Sequence, residues 1–155
     1  MKFLLAFMLV ALSALVRAES NYPPVLSHPQ WKEECSSCHM LFPPQYMNAK
    51  GWQRLMAGLE HHFGTNAALE PDVNKVILDF LVHNAGVGEE YGSALSHRIS
   101  NTRWFKSTHG KVPNEAWTIG KVKNRANCPA CHIGAERGDW SPVLEDNLFK
   151  SRINN

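Results

Sequence analysis

All four cysteines of this 155-residue chain fall in two copies of one pattern, Cys35-Ser36-Ser37-Cys38-His39 and Cys128-Pro129-Ala130-Cys131-His132. No cysteine lies outside them. Cys-x-x-Cys-His is the attachment pattern of c-type haem. Two thiols three positions apart reach the two vinyl groups of one porphyrin and form thioethers, and the histidine beside the second thiol is then held under the iron as its proximal ligand. Two copies therefore imply two covalently bound haem c groups, with Cys35, Cys38, His39, Cys128, Cys131 and His132 as the binding residues. Three alternatives fit less well. A structural zinc site usually sets its cysteine pairs about 15–20 residues apart, whereas Cys38 and Cys128 are 90 positions apart. A thioredoxin-like dithiol needs a βαβ setting that neither motif has. Two local disulfides would leave both histidines accidental.

The start of the chain sets the compartment. Met1-Lys2 is short and positive, residues 3–16 are almost wholly apolar, and Val16-Arg17-Ala18 offers small residues where signal peptidase reads. This is the pattern of a signal peptide over 1–18, too short to span a bilayer comfortably, with an uncleaved anchor as the alternative. The remainder, 19–155, has the length of a single domain, with one haem half at about 19–85 and the other at about 98–140. The expected location is the periplasm, with no membrane span after cleavage. The whole chain has 16 basic and 14 acidic side chains, for +2; losing Lys2 and Arg17 brings it to zero. A nucleic-acid partner calls for a basic surplus, and none is left.

Each iron has a second axial position, and six histidines are available for it: His28, His61, His62, His83, His97 and His109. Residues 49–63 read as a helix with Trp52, Leu55, Met56, Leu59 and Phe63 on one apolar stripe. At about 100° per residue, His62 falls about 80° from Trp52 at the edge of that stripe, and His61 falls on the opposite side. A second helix starts at Pro71-Asp72, buries Val73, Val76, Ile77, Phe80 and Leu81, and stops near Gly86. His83 lies at its edge at the same phase as His62, so phase alone does not separate the two. Asn101-Thr102-Arg103-Trp104-Phe105 reads as a capped short helix whose aromatics can wall a haem, with His109 following and Gly110 as the stop. His28, in a Pro-rich entry, and His97, in a polar stretch, read as solvated. Met56 reads as core filler rather than a ligand.

Several blocks resemble the bacterial diheme cytochrome c family known as DHC. They are Glu34-Cys35-Ser36-Ser37-Cys38-His39-Met40 with Phe42-Pro43-Pro44; Gly51-Trp52, then Met56 through Gly64 with Asn66-Ala67; Arg98-Ile99-Ser100, Trp104-Phe105 and His109; and Asn127 through His132 with Gly134-Ala135-Glu136-Arg137-Gly138. Together they span about residues 34–138. The resemblance implies a mainly α fold with much irregular loop, its helices packed around two covalent haems. It also implies bis-histidine irons that carry electrons in the periplasm. The family's His-Phe-Gly block falls on His62-Phe63-Gly64 and its histidine after Trp-Phe falls on His109, which selects His62 over His83. The implied metal ligands are then His39, His62, His109 and His132. Only 22 residues separate His39 from His62, so the expected pairing is local, His62 with His39 and His109 with His132; a crossed pairing would interlock the halves. Gly86 to Ser96 and the tail after Asp139 match no family block, and read as partner contacts or plain loops.

If imidazole fills both axial positions, neither iron binds a substrate without losing a ligand. The expected function is single-electron transfer at low potential, not enzymatic catalysis. One alternative is a ligand-binding or peroxidase-like diheme cytochrome with one labile iron; such enzymes are longer, and no dedicated acid–base group stands out. Another is a haem-bearing docking subunit of a larger redox complex. The resemblance suggests an oxygen-binding monohaem cytochrome c or a membrane b-type cytochrome as partner. Haem propionates make the mature protein about −2, which slightly favours a basic partner surface.

Overall fold

The computed structural model describes residues 26–92, 97–118, 120 and 122–141. The expected signal peptide and the tail beyond 141 lie outside them. Among the described residues four short α-helices carry the fold: α1 (Pro29–Cys35), α2 (Ala49–Met56), α3 (Pro71–His83) and α4 (Arg103–Thr108), joined by 3-10 turns and loops. Among the described residues there is no strand, only one bridge between His62 and Thr65.

Local chemistry sets the helix ends. Proline opens α1 and α3, where its missing N–H costs nothing. Asn48 caps α2 by accepting from Gly51 N at 2.9 Å, and Thr102 caps α4 by accepting from Phe105 N at 3.2 Å. The Thr102 side chain is fully buried and also donates to Ile99 O at 2.8 Å, so its hydroxyl is satisfied on both sides.

The helix expected over 49–63 stops at Met56. Ala57 N donates to Gln53 O and Gly58 N folds back to Leu55 O, and Asn74 Nδ2 from α3 donates to the Met56 carbonyl at 3.1 Å. These bonds satisfy carbonyls that a longer helix would have used. A separate 3-10 turn, Leu59–His61, follows Gly58. Phe63, expected on the buried stripe, is 42% exposed. Val76 of α3, also expected inside, is 40% exposed.

The first core cluster is Trp31, Met47, Trp52, Met56, Leu59, Ile77 and Leu81, where α1 and α2 pack on α3. Trp52 anchors it, donating from Nε1 to Pro44 O at 2.7 Å in a buried site. Trp52→Phe should destabilise the holoprotein by about 1–3 kcal/mol, because it strands that carbonyl. An unchanged denaturant midpoint would mean that Pro44 O finds another donor.

The stretch after α3 is not a plain loop. Gly86 N donates to Met47 O at 3.0 Å, and Asn48 N donates to Tyr91 O at 3.0 Å. A Cβ on Gly86 would collide with the Gln45 carbonyl and the Tyr91 ring, so residues 86–91 seal the entry to α2. A second cluster joins the two ends of the chain: Met40 and Tyr46 from the first half, Ala135 and Trp140 from the second. Tyr46 stacks on Trp104 at 4.3 Å and meets Trp140 edge-on at 5.3 Å.

Candidate haem-attachment sites

The first motif sits where α1 ends. Cys35 is the last residue of that helix and half-buried, whereas Cys38 and His39 are exposed. The His39 ring lies 5.0 Å from Phe42, and its Nδ1 lies 2.6 Å from Met40 O. A carbonyl only accepts, so Nδ1 carries the proton and Nε2 is left as the ligating atom.

Across from it stands His62, its ring centroid 6.1 Å from that of His39 and the planes 29° apart. His62 is not on a helix. It caps the Leu59–His61 turn, and the chain then reverses through Phe63 at φ 51° and Gly64 at φ 102°, with Thr65 N returning to His62 O at 3.0 Å. This reversal aims His62 inward, and His61 is left exposed. Phe63 is held from outside by the Arg98 guanidinium, 3.7 Å from its ring centroid, and by His97, stacked at 5.4 Å.

The second motif forms a 3-10 turn, Cys128–Ala130, opened by Pro129. Cys131 N and His132 N both return to Cys128 O, at 3.1 and 2.8 Å. Cys128, Cys131 and His132 are all half-buried. His109 caps the end of α4. Its Nδ1 donates to Phe105 O at 3.1 Å, and its ring stacks on Phe105 at 4.1 Å and 18°. The His109 and His132 centroids are 6.1 Å apart, with planes at 85°. Trp117 and Trp140 complete the walls, each 5.8 Å from one of those rings.

Electrostatics favour the neutral, ligating form of both distal histidines. Burial lowers the His62 pKa, and His39, His97 and Arg98 push it the same way. Burial also lowers that of His109; the Phe105 carbonyl opposes this and His132 adds to it. Burial raises the Cys35 and Cys128 thiols to about 11, so both are protonated near neutrality in the bare polypeptide.

The residues fit two haems. Two metal–imidazole bonds of about 2 Å, plus a ring radius at each end, require about 6 Å between ring centroids. Both histidine pairs have that separation. One histidine of each pair follows two cysteines that form no disulfide. Among the described residues, no cluster of three or more His, Cys, Asp or Glu forms an alternative metal site.

Of the other histidines, His83 is exposed at the end of α3. His28 and His97, expected to be solvated, are half-buried and packed on aromatic rings, His28 on Phe80 at 5.1 Å and His97 on Phe63. Met56 lies in the first core cluster. The roles of Arg98, Trp117 and Trp140 carry no periodic signal; Arg98 lies in a block that resembles the family, and tryptophan lies close to the second motif.

Short helices, much loop and two thiol pairs each facing a histidine pair define a small two-haem c-type cytochrome. The chain belongs to the dihaem cytochrome c family, whose family model matches residues 31–140. It is similar to the crystal structure of DHC purified from Rhodobacter sphaeroides, at 38% identity over 74% of this chain and 97% of that one, with TM-score 0.64. A second structure, diheme cytochrome c from Rhodobacter sphaeroides, is 37% identical over 75% of this chain and 98% of that one, with TM-score 0.65. A diheme cytochrome type c from Shewanella baltica OS155 is 33% identical over 70% and 83%, with TM-score 0.60. No curated protein matches the chain. Family and motifs together give two covalent haem c groups and haem-based electron transfer with redox partners. No helix among the described residues is long and apolar enough to cross a membrane.

Proposed function

We propose that this protein is an exported, periplasmic carrier of single electrons, without enzymatic activity of its own, in which His39 and His62 hold one iron and His132 and His109 the other. The observation that carries this reading is the repeated 6.1 Å separation between facing imidazoles, one ring of each pair following the second attachment cysteine. Four parts of the fold bear on it. The Phe63-Gly64 reversal turns His62 inward. The Phe105 carbonyl and ring fix the tautomer and plane of His109. Met40 O does the same for the tautomer of His39. Trp117, Trp140 and Phe105 keep bulk water from the second site, while the first stays closer to the surface, where a redox partner can approach.

Export rests on the apolar segment 3–16 and the small residues ending at Ala18. An oxygen-binding monohaem cytochrome c or a membrane b-type cytochrome suits a low-potential carrier as partner. A carbon monoxide difference spectrum of the dithionite-reduced, fully matured protein tests the ligation. No change is expected, because both axial positions of each iron are filled. A shift in half the haem would instead support a gas-binding or peroxidase-like protein with one labile histidine.

A further inference from the structure

We propose that the two haems are electronically unlike, and that an electron received by the protein settles on the haem of Cys128, Cys131 and His132. This rests on the bis-histidine reading above. The leading observation is the angle between facing imidazoles: 29° at the first site, 85° at the second.

In low-spin ferric haem, each imidazole donates π-density along the normal to its ring plane, into one of two iron d orbitals. Near-parallel planes act on the same orbital and split the pair, which stabilises the oxidised iron that carries the hole. Crossed planes act on both orbitals alike and leave them nearly degenerate, so the oxidised state loses that stabilisation. The second site, with crossed planes, therefore has the higher potential.

Two further features act in the same direction. The His39 Nδ1–H bond to Met40 O is 2.6 Å long, which makes His39 a more basic ligand. His132 Nδ1 is buried with no partner. Cys38 and His39 are exposed, whereas all four residues of the second site are half-buried. Burial disfavours the more highly charged ferric centre. Arg98, beside Phe63, acts the other way on the first site, but as an exposed charge its effect is screened. Internal transfer then runs from the ferrous first haem to the ferric second haem; the first is oxidised, the second reduced, and the electron enters from an external one-electron donor.

Phe105 is the positioning residue of this arrangement. It holds the His109 plane by stacking at 18° and by its carbonyl, and it acts on the iron only through that ligand.

Electron paramagnetic resonance during a dithionite redox titration of the matured protein tests the assignment. Two ferric low-spin signals are expected, one rhombic from the first haem and one with a single very large g-value from the second. The large-g signal should disappear first as the potential falls. Phe105→Leu should shift the large-g signal toward a rhombic one without producing high-spin iron, because His109 stays bound and keeps its bond to the backbone carbonyl while the ring stacked on its plane is lost. Two rhombic signals in the wild type, or loss of the rhombic signal first, would overturn the assignment. If Phe105→Leu does not mature, the wild-type titration decides alone. High-spin ferric iron in the wild type would instead refute the bis-histidine reading on which this rests.

Discussion

His62→Ala should open one of the two haems to carbon monoxide, and only one. The dithionite-reduced variant should give a difference spectrum corresponding to about half the total haem. The reason is geometric. His62 faces His39 across the first site, and the next histidines in sequence are poorly placed to replace it: His61 is exposed and His97 is stacked on Phe63. His109→Ala should open the other haem, and there Phe105 and Trp117 would wall the vacated space. His61→Ala and His83→Ala should leave the spectrum unchanged. A carbon monoxide shift in His83→Ala, with none in His62→Ala, would refute the ligand assignment. The double variant His62→Ala/His109→Ala should react with all the haem while keeping it covalently attached, because the thioethers do not depend on the distal side.

The second large effect concerns folding. Polypeptide made without cytochrome c maturation should lose most of its helical circular dichroism. The four α-helices are 7, 8, 13 and 6 residues long. Isolated helices below about 12–15 residues are marginal in water even with favourable sequences, so tertiary packing must hold these. That packing is thin without cofactors. Among the described residues, the first core cluster has seven buried residues and the second has four, and the rings packed on His39, His62, His109 and His132 line the cofactor positions. Small chains with a limited core commonly need a metal or covalent staple, and here the haems serve as both. Of the four helices, α3 is the best candidate for residual structure, as the longest. An apoprotein with near-native helicity and a cooperative thermal transition would refute this account.

Much of the site is legible in the chain itself. Two Cys-x-x-Cys-His motifs leave little freedom, because thiol spacing and the following histidine are dictated by porphyrin dimensions. The start of α3 is legible because Pro71 and Asp72 mark it by local rules that need no tertiary information. His62 is reached partly by a wrong route. A helical phase places it at the edge of an apolar stripe, whereas the chain has already left the helix at Met56, and His62 is aimed by the left-handed Phe63 and by Gly64. The loss of those last two or so helical turns goes with Asn74, 18 positions away, donating to the Met56 carbonyl. No window along the sequence contains that bond. The packed states of His28 and His97 escape a sequence reading for the same reason: their ring partners, Phe80 and Phe63, lie far off along the chain.

The cluster of Met40, Tyr46, Ala135 and Trp140 also constrains how the molecule comes into being. Tyr46 stands 89 residues ahead of Ala135, so the cluster forms only when a long loop closes. Until that loop closes, Met40 and Tyr46, beside the first haem motif, lack the cover that Ala135 and Trp140 provide. A contact made so late, between such distant stretches, is slow to close and leaves apolar surface open to neighbours. The early half of the chain thus keeps apolar surface uncovered until the stretch after the second motif packs against it, and that contact closes the fold.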